Sequence, residues 1–345
     1  MQGKKKYLCR ALDAFQLTGA MCAAARRING RRLPILAYHR VIGETDIYGP
    51  GFQFEELNIS SFSAEFEKQL DFISRNFRAI TFSGLKACLN GANGGLPENP
   101  IIITFDDGYK DNYTVAFPLL KKFGLKAVFF PVTGLIGGRL MEIERLAYAV
   151  KKTRKNKLDL TEAGLGIYGL QTGADRVKAK NSLTHELRRP DERARESLAA
   201  LIFARLEVDI PPGLGSRMML DWDEIKIMAA SGMEIGSHSA SHPILSRISD
   251  ARLREEVEGS KKELEARLGT EICAFSYPAG GKHEYIGERV KSAVRDAGYA
   301  FGISYFNGLE SAGIPDPYCL KRLRISRYMD MPLFKTGLAI PWMAV

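Results

Sequence analysis

The sequence predicts an α/β fold, a (β/α) barrel of about seven parallel strands with a helical insertion. Three observations predict it. Short apolar runs alternate with segments of helical period, the pattern of strands joined by crossover helices in a parallel sheet. The alternation continues for about seven units, which favours a closed barrel, although a doubly wound sheet uses the same alternation. One stretch, 138–217, is rich in Lys, Arg, Glu and Gly and interrupts the pattern.

Leu33–Val41 (LPILAYHRV) reads as the first strand. Ser63–Phe77 follows, with Phe66, Leu70, Ile73 and Phe77 at helical spacing. Pro100–Phe105 (PIIITF) is a continuous apolar run, as in a strand buried on both faces. Asp111–Phe123 is helix-like, and Gly124 ends it. Lys126–Val132 is a strand, Asp223–Ser231 a helix and Met233–Gly236 a strand. Ser249 can cap a long helix to Leu268, on which Leu253, Val257, Leu264 and Leu268 share a face. Ile272–Tyr277, Tyr299–Ser304 and Cys319–Ile325 supply the last strands, with a helix over Tyr285–Ala297. The insertion offers helices at Ile143–Lys152 and Glu192–Leu206 but no clear strand. It is either a surface elaboration or a substrate-binding arm, because loops at the C-terminal ends of barrel strands surround the active site. The chain thus divides into an N-terminal segment 1–32, a main domain 33–330 and a C-terminal tail 331–345.

A length of 345 residues accommodates one large α/β barrel, or two ordinary domains, with a sizeable core. Hydrophobic residues at 45% and charged residues at 26% exclude a disordered or collagen-like chain. The net charge of +9 favours anionic partners, an acidic glycan or a phospholipid surface. No aromatic–basic platform for bases is present, so nucleic acid is not an expected partner. The five cysteines (Cys9, Cys22, Cys88, Cys273, Cys319) are far apart and lack a C-x-x-C pair, which fits a reducing, cytoplasmic compartment. At the N-terminus, Arg10 and Asp13 interrupt the apolar run that a signal peptide requires. An amphipathic basic helix over Tyr7–Arg27 is expected instead, packed on the domain or lying on an anionic membrane face. No stretch is long and apolar enough to predict a transmembrane helix.

Two clusters carry chemistry. Thr104-Phe105-Asp106-Asp107-Gly108 places paired carboxylates directly after an apolar strand. Adjacent side chains on a strand point to opposite sides, but a turn at its end brings both to one cavity. That suits one metal ligand and one base; alone, Asp-Asp-Gly is equally an ordinary turn. The second cluster is Gly236-Ser237-His238-Ser239-Ala240-Ser241-His242-Pro243, again after a strand. On a helical turn, residues four apart share a face, so both imidazoles can grip one ion. Two neutral imidazoles and a carboxylate suit zinc and leave a coordination position for water, while cobalt and nickel accept the same donors.

Together with Phe275-Ser276-Tyr277-Pro278-Ala279-Gly280, these motifs resemble the ordered motifs of polysaccharide deacetylases, carbohydrate esterase family four. The resemblance covers residues 34–330 apart from the insertion. It implies a distorted (β/α) barrel and a metal-dependent hydrolase that removes N-acetyl groups from amino sugars of a polysaccharide or lipid-linked glycan. It also implies Asp106 as general base and Asp107, His238 and His242 as metal ligands. The Tyr277-to-Gly280 turn would hold the oxyanion through a backbone N–H near Ala279.

Two departures stand out. The third motif usually carries an arginine that orients the base, and Phe275-Ser276-Tyr277 has none. The last motif usually supplies a histidine as general acid, yet no histidine follows His283. A branch acting on exported poly-N-acetylglucosamine uses a Tyr-His pair on an N-terminal strand, and Ala37-Tyr38-His39-Arg40-Val41 resembles it. His39 is therefore the candidate acid, and Arg322 or Arg324 the candidate replacement for the arginine. Trp222 resembles a family aromatic near the cavity, although a Trp at a helix start is as often packing. Two other readings stay open: a glycan-binding member of the fold without turnover, and a metal-dependent amidase of small amides.

Overall fold

The computed structural model describes residues 32–43, 58–91 and 94–341. The expected N-terminal amphipathic helix lies outside these residues. Seven parallel strands form the ring of an eight-stranded sheet: β1 (Ile35–Tyr38), β2 (Pro100–Asp107), β3 (Val128–Pro131), β4 (Glu234–Ile235), β5 (Ala274–Ser276), β6 (Phe301–Asn307) and β7 (Leu320–Arg324); the eighth, Arg78–Ala79, pairs with the start of β2. Each pairs with its neighbours in sequence, and β7 returns to pair with β1. The ring closes between β4 and β5 through a single parallel bridge, Ser237 with Phe275. That narrow closure, beside a two-residue β4, is what distorts the barrel.

Alternation along the strands sorts side chains into two layers. One set, including Tyr38, Phe105, Phe129 and Phe275, faces the helices. The other, including Ile35, Ile102, Phe130, Ala274, Ile303 and Leu320, fills the lower barrel with apolar volume. Higher on the same inward faces come Thr104, Asp106, Ser276 and Arg322, all buried. Polar chemistry is thus confined to the C-terminal end, on an apolar plug. A side chain at Gly236 would collide with the Phe130 ring, so glycine is needed where β4 crosses this plug.

Helices cover the outside. Ser63–Asn76 buries Phe66, Leu70 and Ile73, the predicted stripe. The helix predicted over Asp111–Phe123 begins with a wider π-turn, Asn112–Ala116, and continues as Phe117–Lys122. Asp250–Leu268 is likewise broken by a π-turn at Glu255–Gly259.

Three expectations need correction. Leu33–Val41 is not one strand: β1 is flanked by short strands Arg32–Leu33 and Arg40–Ile42. The break at His39 turns the chain at the rim of the barrel. The insertion does contain strands, a hairpin of Lys157–Asp159 with Ile167–Gly169. Largely exposed, it shows little apolar alternation in sequence. With helices Glu142–Lys152, Gly173–Leu187 and Glu192–Leu206, it encloses its own core around Leu146, Leu158, Leu183 and Ile202. Finally, 331–345 is not simply a tail. Met331–Ala339 is a helix whose buried Phe334 meets Phe72 edge-on.

Candidate active site

All the predicted catalytic and ligand side chains project from strand ends at one mouth of the barrel. Asp106 is the last inward-facing residue of β2, opposite Phe130 in register. Asp107 should face outward, but its φ of 76° and that of Gly108 at 75° turn the chain over. Both carboxylates therefore reach the cavity.

Asp107 Oδ1 lies 3.3 Å from His238 Nε2 and 3.5 Å from His242 Nε2. Among the described residues these three form the only cluster with metal-ligand potential, with all donor atoms within 4.8 Å of one another. Ligands held ~2.0–2.1 Å from a tetrahedral zinc ion stand roughly 3.3 Å apart, so the spacing fits such an ion. His238 Nδ1 donates to the Ser276 carbonyl at 2.7 Å, since a carbonyl only accepts. That bond fixes the tautomer and leaves the Nε2 lone pair for the cluster. Burial raises the Asp107 carboxyl, but the surrounding imidazoles outweigh it and hold it below the usual range. Burial also opposes charge on His238, yet Asp107 and Asp106 keep it above the ordinary histidine value. Partial burial and His238 push His242 down to about 3. An ionised carboxylate beside a neutral imidazole is a donor set suited to a divalent cation.

The His238–His242 loop is an irregular turn with Ser239 at φ 66° and His242 at φ 64°, both left-handed. Each such residue costs roughly 1–3 kcal/mol unless its surroundings hold it. Ser239 Oγ accepts the His242 N–H at 2.9 Å.

Asp106 is gripped from below by Arg322. Nη1 donates to Oδ1 at 2.8 Å and Nη2 to Oδ2 at 2.6 Å. The guanidinium is itself fully buried and also donates to the Ser304 carbonyl, Thr104 Oγ1 and Ser276 Oγ. Burial raises the Asp106 carboxyl, but Arg322 and then His238 outweigh it and hold it well below the usual carboxylate range. Arg324 lies two residues farther along the same face of β7 and does not pair with Asp106. Its guanidinium stacks near the Tyr305 ring at 5.5 Å, and its shielded Nε has no acceptor among the described residues.

His39 lies just past β1. Its backbone is fixed on both sides: the N–H donates to Ser60 Oγ at 2.8 Å, and the carbonyl accepts from Asn112 Nδ2 at 2.7 Å. Its Nε2 stands 4.0 Å from Asp107 Oδ2, outside the three-residue cluster, with the Tyr305 ring edge-on at 5.3 Å. Its neighbour Tyr38 points the other way and donates to Gln69 Oε1 at 2.7 Å behind the sheet.

Two predicted residues lie elsewhere. The Tyr277 side chain is packed against Phe275 in the outer core, and its hydroxyl donates to the Tyr318 carbonyl. One residue past β5, it continues the outward period of that strand and lies behind the barrel. Trp222 starts the helix Trp222–Ala230 and packs against the outer core with Arg267 over its ring at 4.7 Å. Ala279, by contrast, has φ 54°, and its N–H has no acceptor among the described residues. Sequence reasoning missed Ser276 and Tyr305. Both continue the inward period of their strands, the only signal available for them.

The polysaccharide deacetylase family model matches residues 93–156 and 192–302, about half of the chain. The unmatched 157–191 contains the hairpin and middle helix of the insertion. The chain is 24% identical to YxkH of Bacillus subtilis (strain 168), whose name places it among polysaccharide deacetylases. That alignment spans 304 residues, 88% of this chain and 75% of YxkH. A segment of 37 residues is 51% identical to the poly-β-1,6-N-acetyl-D-glucosamine N-deacetylase of Escherichia coli (strain K12), covering 11% of this chain and 6% of that protein. Among solved structures, the Streptococcus pyogenes deacetylase PplD in complex with acetate superposes with a TM-score of 0.55 at 21% identity. It covers 88% of this chain and 95% of PplD.

Proposed function

The chain belongs to the polysaccharide deacetylase family and is a deacetylase, and we propose that it hydrolyses N-acetyl groups on amino sugars of a polymeric or lipid-linked glycan. One observation carries this reading: a base candidate, a three-residue ligand set and a separate imidazole meet at one barrel mouth. A glycan-binding protein without turnover has no use for a buried, arginine-oriented carboxylate beside a metal cluster.

We assign Asp107, His238 and His242 to a divalent ion; their spacing fits zinc, and cobalt and nickel accept the same donors. Such an ion, when bound, would supply Lewis acidity toward the amide carbonyl and lower the pKa of a water it holds. Asp106 accepts the proton from the attacking water. Arg322 keeps it ionised at working pH and fixes the direction of its free lone pairs, at the expense of intrinsic basicity. Oxygen charge developing on the amide meets the unengaged N–H of Ala279, a donor oriented before reaction begins. His39 Nε2 gives a proton to the departing nitrogen, which otherwise leaves as an unstable amide anion. Acetate and a free amine result.

Arg322 thus takes the place of the motif arginine, and Arg324, beside the Tyr305 ring, does not. The names of the Escherichia coli and Bacillus subtilis relatives support a polysaccharide substrate. The net charge of +9 supports an acidic or membrane-anchored one. Among the described residues no helix is long and apolar enough to cross a membrane. The free thiols of Cys88, Cys273 and Cys319 support a reducing, cytoplasmic setting. The test is acetate release from N-acetylglucosamine oligomers of increasing length, assayed beside small linear and cyclic amides. Release that rises with oligomer length supports the assignment; turnover of the small amides alone overturns it.

A further inference from the structure

The loop that bears both imidazoles is held by a helix that contributes no ligand. Glu256 lies in the π-turn of Asp250–Leu268 and is wholly buried. Its Oε2 accepts both the Ala240 N–H at 2.9 Å and the Ser241 N–H at 2.7 Å. Its Oε1 accepts Ser241 Oγ at 2.5 Å and pairs with Arg252 at 2.8 Å. One carboxylate thereby engages the two residues between the left-handed Ser239 and His242. Four residues farther along the helix, Ser260 Oγ accepts from Ser237 Oγ at 2.8 Å, just before His238. The helix thus holds the loop just before His238 and between Ser239 and His242, and the wide π-turn, a feature frequent at functional sites, lies at the second of these contacts.

We propose that Glu256 is a positioning residue that sets where the His242 imidazole stands, and through it the affinity of the Asp107–His238–His242 cluster for its ion. The proposal rests on the metal reading above. His242 has the weakest support of the three. Its ring nitrogens have no hydrogen bond among the described residues, whereas His238 is anchored by Ser276. Backbone placement is therefore what aims the His242 ring, and Glu256 supplies it. Arg252, the partner of this carboxylate, also donates to Ser241 Oγ at 3.2 Å and reaches Glu192 of the insertion at 3.5 Å.

The experiment compares zinc affinity in the wild type and Glu256→Gln by competition with a chromophoric chelator, together with melting temperatures in excess chelator. Glutamine keeps one acceptor oxygen but loses the charge and the second oxygen. Zinc should bind about 10–100-fold more weakly, the range for losing an outer-sphere support, while the metal-free melting temperature changes little. A purely structural role predicts the reverse, a lowered metal-free melting temperature with unchanged zinc affinity, and that result overturns the proposal. If Glu256→Gln does not fold, Arg252→Gln, at a partly exposed position, decides. Weaker zinc binding in the same direction upholds the proposal, and wild-type affinity overturns it. Absence of zinc uptake by the wild type overturns the metal reading itself and this assignment with it.

Discussion

Arg322 and Asp106 meet as a two-pronged pair inside the barrel, with Nη1–Oδ1 at 2.8 Å and Nη2–Oδ2 at 2.6 Å, although 216 residues separate them in the chain. The pair links β7 to β2 across the cavity and fixes the plane of the carboxylate proposed as the base. Arg322→Lys keeps the charge but not the fork, so Asp106 is free to rotate. Misplacement of this order costs about 10²-fold in kcat, and steady-state kinetics should show it with KM little changed. Arg322→Ala leaves a buried charge unpaired and should destabilise the fold by roughly 3–5 kcal/mol. The Asp106 carboxyl is depressed in the folded state, so the pair stabilises fully above the unfolded value of about 3.9 and less as pH falls through the folded value. The stability gap between wild type and Arg322→Ala should shrink in acid. A gap that stays constant there contradicts the pairing.

Asp106→Asn removes the base and leaves the three-residue cluster intact. Bound zinc per chain should stay at the wild-type level while turnover falls about 10²–10⁴-fold. Acetate release near the wild-type rate would remove Asp106 from the mechanism.

His39→Ala separates proton donation from packing. The amine leaving group of an amide needs a proton, and the phenolate of an activated aryl ester does not. The variant should lose turnover on an N-acetyl sugar far more than on the ester. Equal losses on both would leave His39 as a structural residue between Ser60 and Asn112.

Much of this arrangement was legible in the sequence. β1, β2 and β3 are buried on both faces and so read as apolar runs, and the two motif clusters fall at strand ends. The choice between Arg322 and Arg324 was not legible. They are two residues apart on one strand and share a face; depth in the barrel separates them, and depth depends on how neighbouring strands are staggered. Tyr277 misled because its motif turn faces the cavity while its side chain, on the opposite parity, faces the helices. Asp107 shows the converse. Strand parity would send it outward, and only the positive φ at Asp107 and Gly108 brings it in. Glu256 gave no motif signal, since its partners are backbone amides of a distant loop.

The insertion behaves as a unit with its own core. Leu183 is fully buried within it, and Leu183→Ala should cost about 2–5 kcal/mol there. Hydrogen exchange should show lost protection across 142–206 while the barrel strands keep theirs, as expected of a separately opening region. Uniform loss over the whole chain would show that the two cores unfold as one.

The central claim is that Asp107, His238 and His242 hold one divalent ion on which deacetylation depends. The most direct measurement is zinc titration of chelator-treated protein, with acetate release from an N-acetylglucosamine oligomer followed at each point. The account predicts negligible release from the metal-free protein and recovery that saturates at one zinc per chain, with the Asp107→Ala variant failing to recover at matched zinc. Undiminished release from the metal-free protein would contradict it.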